Sequence, residues 1–458
     1  MAPLPSPNRI AILWVALTTL DACEGRTMAE PAPGLRALPH AVFLERMAGA
    51  PKASSSEARL GRAAFVALRL VDLLTHDRQA LHAGAFHYQH VATERACRDL
   101  PANRTETTHL VGLVRSTAEA FQAGDNSLAL PALFAYAYCL EDELRLDEAL
   151  DVLDTTLHVG GEALRPPDRI AIRLRTARVL RKQNQFETAE AAYATALRTA
   201  HAAGDHRSAF LSRLGAALVT QARGNLSHAE LLLREILADL DRQSYPDLEG
   251  ATRHALGTTL LLRGQIPDAL GEVWRAFELY EDESSRLRAL NDSGVMLLAL
   301  GRVEDAERAL TEVVRCGGAR DNVSNALIEL MHCASYRRDR VAFARRRAEC
   351  EARAQDMPPN ILVDFRLKAG IGTARFGNLR KAGALLAAAL DVAERGGLHE
   401  FEFRIERIMA GLDDCEPEIA VSELAAAEPA TTSQQLEAVC ASVARLGCDA
   451  VSDKRLGC

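Results

Sequence analysis

The sequence predicts an all-α fold, a right-handed superhelical solenoid of antiparallel helix pairs. Three observations predict this fold. Strong helix formers are abundant, one apolar pattern with helical spacing recurs seven times, and a turn-forming position precedes almost every recurrence. Because each unit of a solenoid packs only on its neighbours, a chain of 458 residues with 5% aromatic residues needs no single large core.

An alanine column marks the second helix of each predicted pair and recurs at steps of 37 to 40 residues. Its members are Ala149, Ala189, Ala229, Ala269, Ala306, Ala344 and Ala382. The positions three before, four after and eight after each alanine are almost all apolar, as at Ile266, Val273 and Phe277 around Ala269. These offsets place one continuous apolar stripe on a helix. In the sixth unit the same offsets fall on Val341, Ala348 and Ala352, which predicts looser packing there.

Two further columns place a tight turn and a first helix before each alanine. The position five residues earlier favours turns in all units except the first, and it holds Leu144, Asn184, Gly224, Gly264, Gly301, Asp339 and Gly377. The position twelve residues earlier is small in all units except the sixth, and it holds Ala137, Ala177, Ala217, Gly257, Gly294, His332 and Gly370. A small residue there lets the two helices of a pair approach closely.

Together these columns resemble the tetratricopeptide repeat, in a long-period form similar to that of bacterial regulators. The stretch Leu256-Gly257, with Gly264, Ala269 and Ala276, matches the family pattern best. The resemblance covers 128–396 and implies that the first helices line a concave groove that binds a protein or peptide. It implies neither catalysis nor a cofactor.

The chain divides into five predicted segments. Residues 1–56 form a flexible leader with a signal-like segment, and 57–127 form N-terminal helices that act as a degenerate or capping repeat, with helices near 78–99 and 106–123. Seven repeats follow over 128–396. A capping helix covers 397–412, and 413–458 forms an acidic tail with a short helix near 432–446.

The resemblance places the groove columns on twelve residues of the first helices. They are Phe134, Tyr138, Arg178, Arg181, Lys182, His254, Arg288, Asn291, Glu329, Tyr336, Arg337 and Arg375. The set is polar, aromatic and mostly basic, whereas the whole chain carries a net charge of −8. We therefore expect a protein or peptide partner of acidic character. As exposed charges, Arg178 and Arg181 are expected to contribute little to folding.

The predicted function is a non-catalytic scaffold or adaptor that binds a peptide or protein segment. The alternatives are a peptide-responsive regulatory sensor and an enzyme that uses the solenoid as a scaffold. The sequence contains no phosphate-binding loop, nucleophile elbow or zinc-protease motif, so we predict no catalytic, cofactor or metal residue. The net charge argues against nucleic-acid binding over the whole surface.

Two local clusters leave a choice between a site and ordinary surface residues. The histidines His82, His87 and His90, with Glu94, could present a metal ion, but exposed helix residues are the simpler interpretation. Six arginines between 337 and 347 could bind an acidic partner or could form a solvated turn.

The first residues resemble a bacterial lipoprotein signal. Arg9 precedes an apolar run from Ile10 to Leu20, and Cys23 follows shortly after, although Asp21 is unusual in such a signal. Ten scattered cysteines without a C-x-x-C pair are typical of free thiols in a reducing compartment. We expect a cytoplasmic protein without a membrane span, with an exported lipoprotein anchored at Cys23 as the alternative.

Overall fold

The computed structural model describes residues 38–50, 52, 54–76, 83–240, 245–318, 320–413 and 434–446, and none of these residues is in a β-strand. Consecutive helices of the described chain pack as antiparallel pairs, which confirms the predicted all-α, tetratricopeptide-like fold. The chain divides into two compact units, with one boundary between Ala216 and Ala217.

The first unit contains the N-terminal helices and the first two predicted repeats. Its helices are α1 (Ala41–Gly49), α2 (Ser56–Asp72), α3 (Ala83–Arg98), α4 (Thr105–Ala123), α5 (Leu130–Asp142), α6 (Leu146–Gly160), α7 (Pro166–Lys182) and α8 (Phe186–Ala203). Helix α9 (His206–Ala222) begins in this unit and ends in the next. Helices α5 and α6 form the first repeat pair, and α7 and α8 form the second.

The second unit contains the remaining helices. They are α10 (Leu226–Asp239), α11 (Pro246–Leu262), α12 (Ile266–Leu279), α13 (Glu283–Ala299), α14 (Val303–Cys316), α15 (Arg320–Tyr336), α16 (Arg340–Glu351), α17 (Pro359–Arg375), α18 (Leu379–Gly396), α19 (His399–Asp413) and α20 (Gln434–Val443). The first helices of the repeat pairs carry odd numbers from α5 to α17. The second helices carry even numbers from α6 to α18.

Helix α1 lies inside the segment that we predicted as a flexible leader. Phe43 is fully buried, and α1 approaches Gly61 of α2 so closely that an added Cβ would lie 2.8 Å from the Phe43 carbonyl oxygen. Arg46 donates to Glu106 of α4 over 2.9 Å, and Glu106 is itself fully buried. The leader boundary at residue 56 is therefore wrong, because α1 is part of the packed first unit. The signal-like segment with Cys23 lies outside the described residues.

The turn inside each repeat pair uses one backbone conformation throughout. The residue at this turn has a positive φ at Leu144, Asn184, Gly224, Gly264, Gly301, Arg338 and Gly377, with values from 56° to 80°. Leu144 thus adopts the turn conformation at φ 58° although its side chain disfavours it. The predicted turn column is confirmed in six units, and in the sixth the turn residue is Arg338 instead of Asp339.

The small-residue column explains how the helices of a pair approach each other. A Cβ added at Gly257 would lie 2.4 Å from Val273, and one at Gly294 would lie 2.7 Å from Leu310. Val273 and Leu310 belong to the predicted apolar stripe of the second helix. Ala229 and Ala269 are fully buried, as predicted.

The sixth pair is displaced by one residue from the predicted alignment. Asp339 caps α16, because its side chain accepts hydrogen bonds from the amides of Val341 and Ala342. Phe343 then occupies the buried position of the alanine column, whereas Ala344 is exposed and Val341 is 81% exposed. The prediction failed here because an aspartate that caps a helix resembles a turn residue in sequence.

The C-terminal helices pack against the repeat helices of the second unit. Helix α19 packs against α18, and α20 packs against α12 and α14, where Arg302 and Glu437 form an ion pair of 2.6 Å. Residues 414–433, which include most of the predicted acidic stretch, lie outside the described residues.

Candidate functional site on the first helices

In the second unit, first and second helices differ in what they bury. Every buried residue of α12 is apolar or glycine, whereas α17 buries Asp364, Lys368, Thr373 and Arg375. Helices α13 and α15 also bury polar side chains, and in this unit α15 packs directly against both α13 and α17. Because burying charge is costly, polar side chains concentrated on one set of helices indicate a specialised surface.

In the first unit, a buried carboxylate gathers the basic residues of α7. Glu141 of α5 is fully buried, and it accepts from Arg175 over 2.5 Å and from Arg178 over 2.6 Å. Lys182 lies 3.0 Å from the same carboxylate. Burial opposes ionisation of Glu141, but Arg178, Lys182 and Arg175 outweigh it and lower its pKa to about 2. The predicted groove residues Arg178 and Lys182 are therefore also partners of a buried charge.

Aromatic side chains lie next to this carboxylate. Tyr138 is 40% exposed, and the guanidinium of Arg175 lies 3.2 Å from its ring centroid. Phe134 is half-buried, with its ring centroid 5.6 Å from that of Tyr138. Arg181 is only 6% exposed, which contradicts the expectation that it is a freely exposed charge. Between Arg175 and Lys182, α7 carries four cations, whereas the end of α5 carries two acidic residues, so positive charge is in excess here.

In the second unit, His254 lies between two helices. Its Nε2 lies 2.7 Å from Asp292 of α13, and its Nδ1 lies 3.3 Å from the hydroxyl of Tyr280. Burial raises the pKa of Tyr280 to about 12, while the nearby Arg288 opposes the shift. Both ring nitrogens of His254 are therefore engaged in hydrogen bonds with neighbouring side chains.

Asn291 follows on α13 and is only 2% exposed. Its side-chain oxygen has no hydrogen-bond partner within the described chain. A buried amide oxygen without a partner is unusual in a folded protein.

A buried charge cluster joins α15 and α17. Lys368 donates to Asp364 over 2.9 Å and also binds Glu329, and all three side chains are at most 4% exposed. Burial raises the pKa of Glu329 to about 7, although Lys368 opposes this effect. Asp364 keeps one carboxylate oxygen without a partner among the described residues.

The ends of α15 and α17 form the last part of the site. Arg375 donates to the hydroxyl of Ser335 over 2.7 Å, and its guanidinium lies 3.7 Å from the ring centroid of Tyr336. His332 lies edge-on to Tyr336, with 5.1 Å between the ring centroids. Arg337 instead binds Glu307 of α14 over 2.6 Å, so it faces a second helix.

The structure thus places the predicted groove residues in separate clusters. Five residues lie around Glu141, and His254 and Asn291 lie near Asp292. Sequence reasoning did not identify Glu141, Arg175, Asp292, Asp364 and Lys368. The sequence does show these charged residues on the first helices, close to the small-residue column. They were missed because a charged residue on a helix was assumed to be exposed.

The two clusters that the sequence left open hold no assembled site among the described residues. His87 is exposed, His90 lies 3.7 Å from Glu94, and His82 lies outside the described residues. Where the chain is described, no group of three or more His, Cys, Asp or Glu side chains is placed to hold a metal ion. In the arginine-rich stretch, Arg337 and Arg346 bind Glu307 and Glu349.

A cavity of about 330 Å³ lies in the first unit and is lined by residues from the start of α1, from the end of α2 and from α6. His40 lines it, with its Nδ1 2.5 Å from Asp151 and its Nε2 3.2 Å from Asp72. Burial opposes protonation of His40, but its hydrogen bonds and charge interactions with Asp151 and Asp72 raise its pKa to about 9. His40 therefore acts as a buried cation between α1, α2 and α6.

The described helices include none that is both long and apolar enough to cross a bilayer. No known family model matches the chain, and no curated protein matches it.

Several solved structures resemble it. The apo form of the quorum sensor NprR from B. thuringiensis is 11% identical, with a TM-score of 0.45 over 72% of this chain and 97% of that chain. A Rap protein complexed with Competence and Sporulation Factor is 11% identical, with a TM-score of 0.44 over 80% and 99%. Aspartyl phosphate phosphatase F from Bacillus subtilis is 12% identical, with a TM-score of 0.42 over 75% and 95%.

Proposed function

We propose that this chain is a non-catalytic adaptor or regulatory protein that binds a peptide or an extended protein segment along its first helices. The observation that carries the proposal is the unused hydrogen-bonding capacity of these helices. The buried atoms Asn291 Oδ1, His332 Nδ1, Asp364 Oδ1 and Arg375 Nε have no partner within the described residues. They lie on α13, α15 and α17, which are neighbouring first helices of one unit.

An extended segment is the ligand that suits such a surface. Its backbone presents one N–H donor and one C=O acceptor at nearly every residue, so it can satisfy several scattered polar atoms at once. Burial of these atoms without partners is costly, and a bound segment would remove part of that cost. The second helices offer apolar packing surfaces instead.

The charge of the site favours an acidic segment. Around Glu141, the cations Arg175, Arg178, Arg181 and Lys182 outnumber the acidic side chains, while the whole chain has a net charge of −8. A basic face on an acidic protein steers acidic partners to that face.

We place this protein in the cytoplasm, where its thiols would stay reduced.

The chemistry of the described cysteines favours binding over catalysis. Three of the six described free cysteines, Cys97, Cys139 and Cys350, have a pKa raised by burial, which makes them poor nucleophiles.

The test is a binding measurement with peptides selected from a random display library against the full chain. We expect Asn291→Leu, which removes a buried polar acceptor at similar size, to weaken binding of the selected peptides about tenfold, or about 1.4 kcal/mol. The control Leu231→Ala changes a side chain on α10 that is 53% exposed, and it should leave affinity unchanged. Equal affinity for both variants and the wild type, measured by fluorescence anisotropy, would refute binding at the first helices.

A further inference from the structure

Arg375 is an unusual cation because it is buried without a countercharge. Its side chain is 7% exposed at the end of α17, and it forms no ion pair with any described residue. Seven residues earlier on the same helix, Lys368 is buried to a similar degree but binds both Asp364 and Glu329. Burial of an unpaired charge costs several kcal/mol, so a second partner is expected for Arg375.

The orientation of the guanidinium is fixed by two residues of α15. Ser335 accepts a hydrogen bond from Nη1 over 2.7 Å, and the ring of Tyr336 lies against the guanidinium at 3.7 Å from its centroid. The hydroxyl of Ser335 in turn donates to the carbonyl of His332 over 2.7 Å. Ser335 is thus a neutral support and does not compensate the charge.

The Nε donor of Arg375 points to the chemistry of the missing partner. Nε of Arg375 is buried and has no hydrogen-bond partner among the described residues. Nε and Nη2 form the planar edge with which arginine donates to both oxygens of a carboxylate. A stacked aromatic ring holds this edge in a single plane, which lowers the entropy lost on binding.

The cations around His332 add positive potential near Arg375. Burial, together with Arg375, Lys368 and Arg404, lowers the pKa of His332 well below its usual value, so the imidazole is neutral. Its Nδ1 has no partner and lies in the same cluster as Tyr336. A neutral imidazole supplies a polar contact for an anion without adding to the charge already buried.

We propose that Arg375, held by Ser335 and Tyr336, is the anchor for one carboxylate group of the ligand. This inference rests on the proposed function, because it concerns a segment bound along the first helices. The carboxylate belongs either to an acidic side chain of the segment or to its C-terminus. The remaining polar atoms of α13 and α15 then contact the rest of the segment.

The stability of the free protein gives the first test. If the countercharge comes from a ligand, the free protein carries an uncompensated cost, and Arg375→Met should unfold at the same temperature as the wild type or higher. Ser335 keeps its bond to the carbonyl of His332 in this variant. A melting temperature several degrees lower for both Arg375→Met and Arg375→Gln would show that the arginine is structural and would overturn the proposal.

Thermal melting with defined peptides gives the second test. The full chain is melted with millimolar amounts of a capped Gly-Glu alternating hexapeptide, its Gly-Gln counterpart, the Gly-Gln peptide with a free C-terminal carboxylate, and inorganic phosphate. We expect a peptide that carries a carboxylate to raise the melting temperature of the wild type, and the capped Gly-Gln peptide to have no effect. An effect of the capped Gly-Glu peptide indicates a side-chain carboxylate, whereas an effect of the Gly-Gln peptide with a free C-terminus indicates a C-terminal carboxylate. An equal effect of phosphate would contradict recognition of a carboxylate.

Variants then locate the effect. The rise in melting temperature caused by a carboxylate peptide should disappear in Arg375→Met. It should persist in Arg345→Met, which removes an arginine that is 66% exposed on α16. A shift retained in Arg375→Met, or absent from the wild type, overturns the anchor. If library-selected peptides still bind to both variants, the proposed function stands and only the anchor fails. If no selected peptide binds at all, the proposed function itself fails.

Discussion

Glu141 shows how one buried carboxylate changes the role of the cations around it. From the sequence, Arg178 belongs to an exposed basic face whose reversal leaves folding intact. In the structure, Arg178 is 46% exposed but donates to Glu141, which is fully buried. The same residue can therefore present positive charge to a ligand and stabilise a buried anion.

Arg178→Glu is expected to destabilise the first unit by about 1–3 kcal/mol, because it places a second carboxylate beside a buried one. Arg175 and Lys182 remain to bind Glu141, so the loss should stay below that of removing the whole cluster. The measurement is urea unfolding followed by circular dichroism. Arg198→Glu on α8, where the arginine is exposed, is the control and should change stability by no more than about 0.5 kcal/mol. Equal stability of the two variants would contradict a structural role for Arg178.

His40 makes stability depend on pH in a defined window. Its pKa is raised to about 9 in the folded protein, so protonation stabilises the fold fully below the unfolded value of 6.5. That contribution is lost as the pH rises through 9. Arg69 also pairs with Asp72, over 2.7 Å.

His40→Asn should therefore cost on the order of 2 kcal/mol at pH 6 and much less at pH 9.5. Asparagine tolerates the positive φ of 63° at this position, so the backbone is not an added source of destabilisation. Urea unfolding of both proteins at several pH values provides the comparison. A difference in stability that stays constant between pH 6 and pH 9.5 would rule out a protonated His40.

At the scale of helices, the repeat columns predicted most of the architecture. The alanine and turn columns are local patterns, and the tight turns at Gly224, Gly264 and Gly377 follow directly from them. Helices predicted near 78–99 and 106–123 are observed as Ala83–Arg98 and Thr105–Ala123. The buried ion pair of Lys368 with Glu329 joins residues 39 apart in sequence, and no local pattern indicated that pairing.

The shifted sixth pair can be tested with two alanines that the sequence placed in one column. Ala269→Glu buries a carboxylate at a fully buried site and should cost about 3–5 kcal/mol. Ala344→Glu changes an exposed residue and should stay within about 0.5 kcal/mol of the wild type. Thermal unfolding of the two variants measures this contrast. A large loss for Ala344→Glu would restore the original alignment.

The ring of Phe343 leaves no room for a side chain at Gly372 on α17, the first helix of the following pair. A Cβ added at Gly372 would lie 2.3 Å from the Phe343 ring, so Gly372→Ala should cost about 1–3 kcal/mol. In a Phe343→Leu background the same substitution should cost at least about 1 kcal/mol less. Gly383→Ala on α18 is the control, since no atom lies within 4 Å of its added Cβ, and there alanine should stabilise the helix. Strictly additive effects in the double mutant would contradict this packing.

At the scale of the whole molecule, first helices of both units bury charge, whereas the second helices of the second unit bury apolar residues. The second helices supply the packing that keeps a repeat array folded, as the fully apolar buried face of α12 illustrates. The first helices carry Glu141, Asp292, Asp364 and Arg375, and the proposed ligand binds there. This separation of roles lets the binding surface be polar without loss of the fold.

The most direct test of this account is to map where a library-selected peptide lies on the full chain. A photoreactive phenylalanine derivative replaces Tyr138 or Arg288 on the first helices, or Leu231 or Val341 on the second helices, all of which are exposed. After irradiation, mass spectrometry measures the yield of cross-linked peptide at each position. We predict efficient cross-linking from at least one first-helix position and only background from Leu231 and Val341. Cross-links confined to the second-helix positions would contradict the central claim.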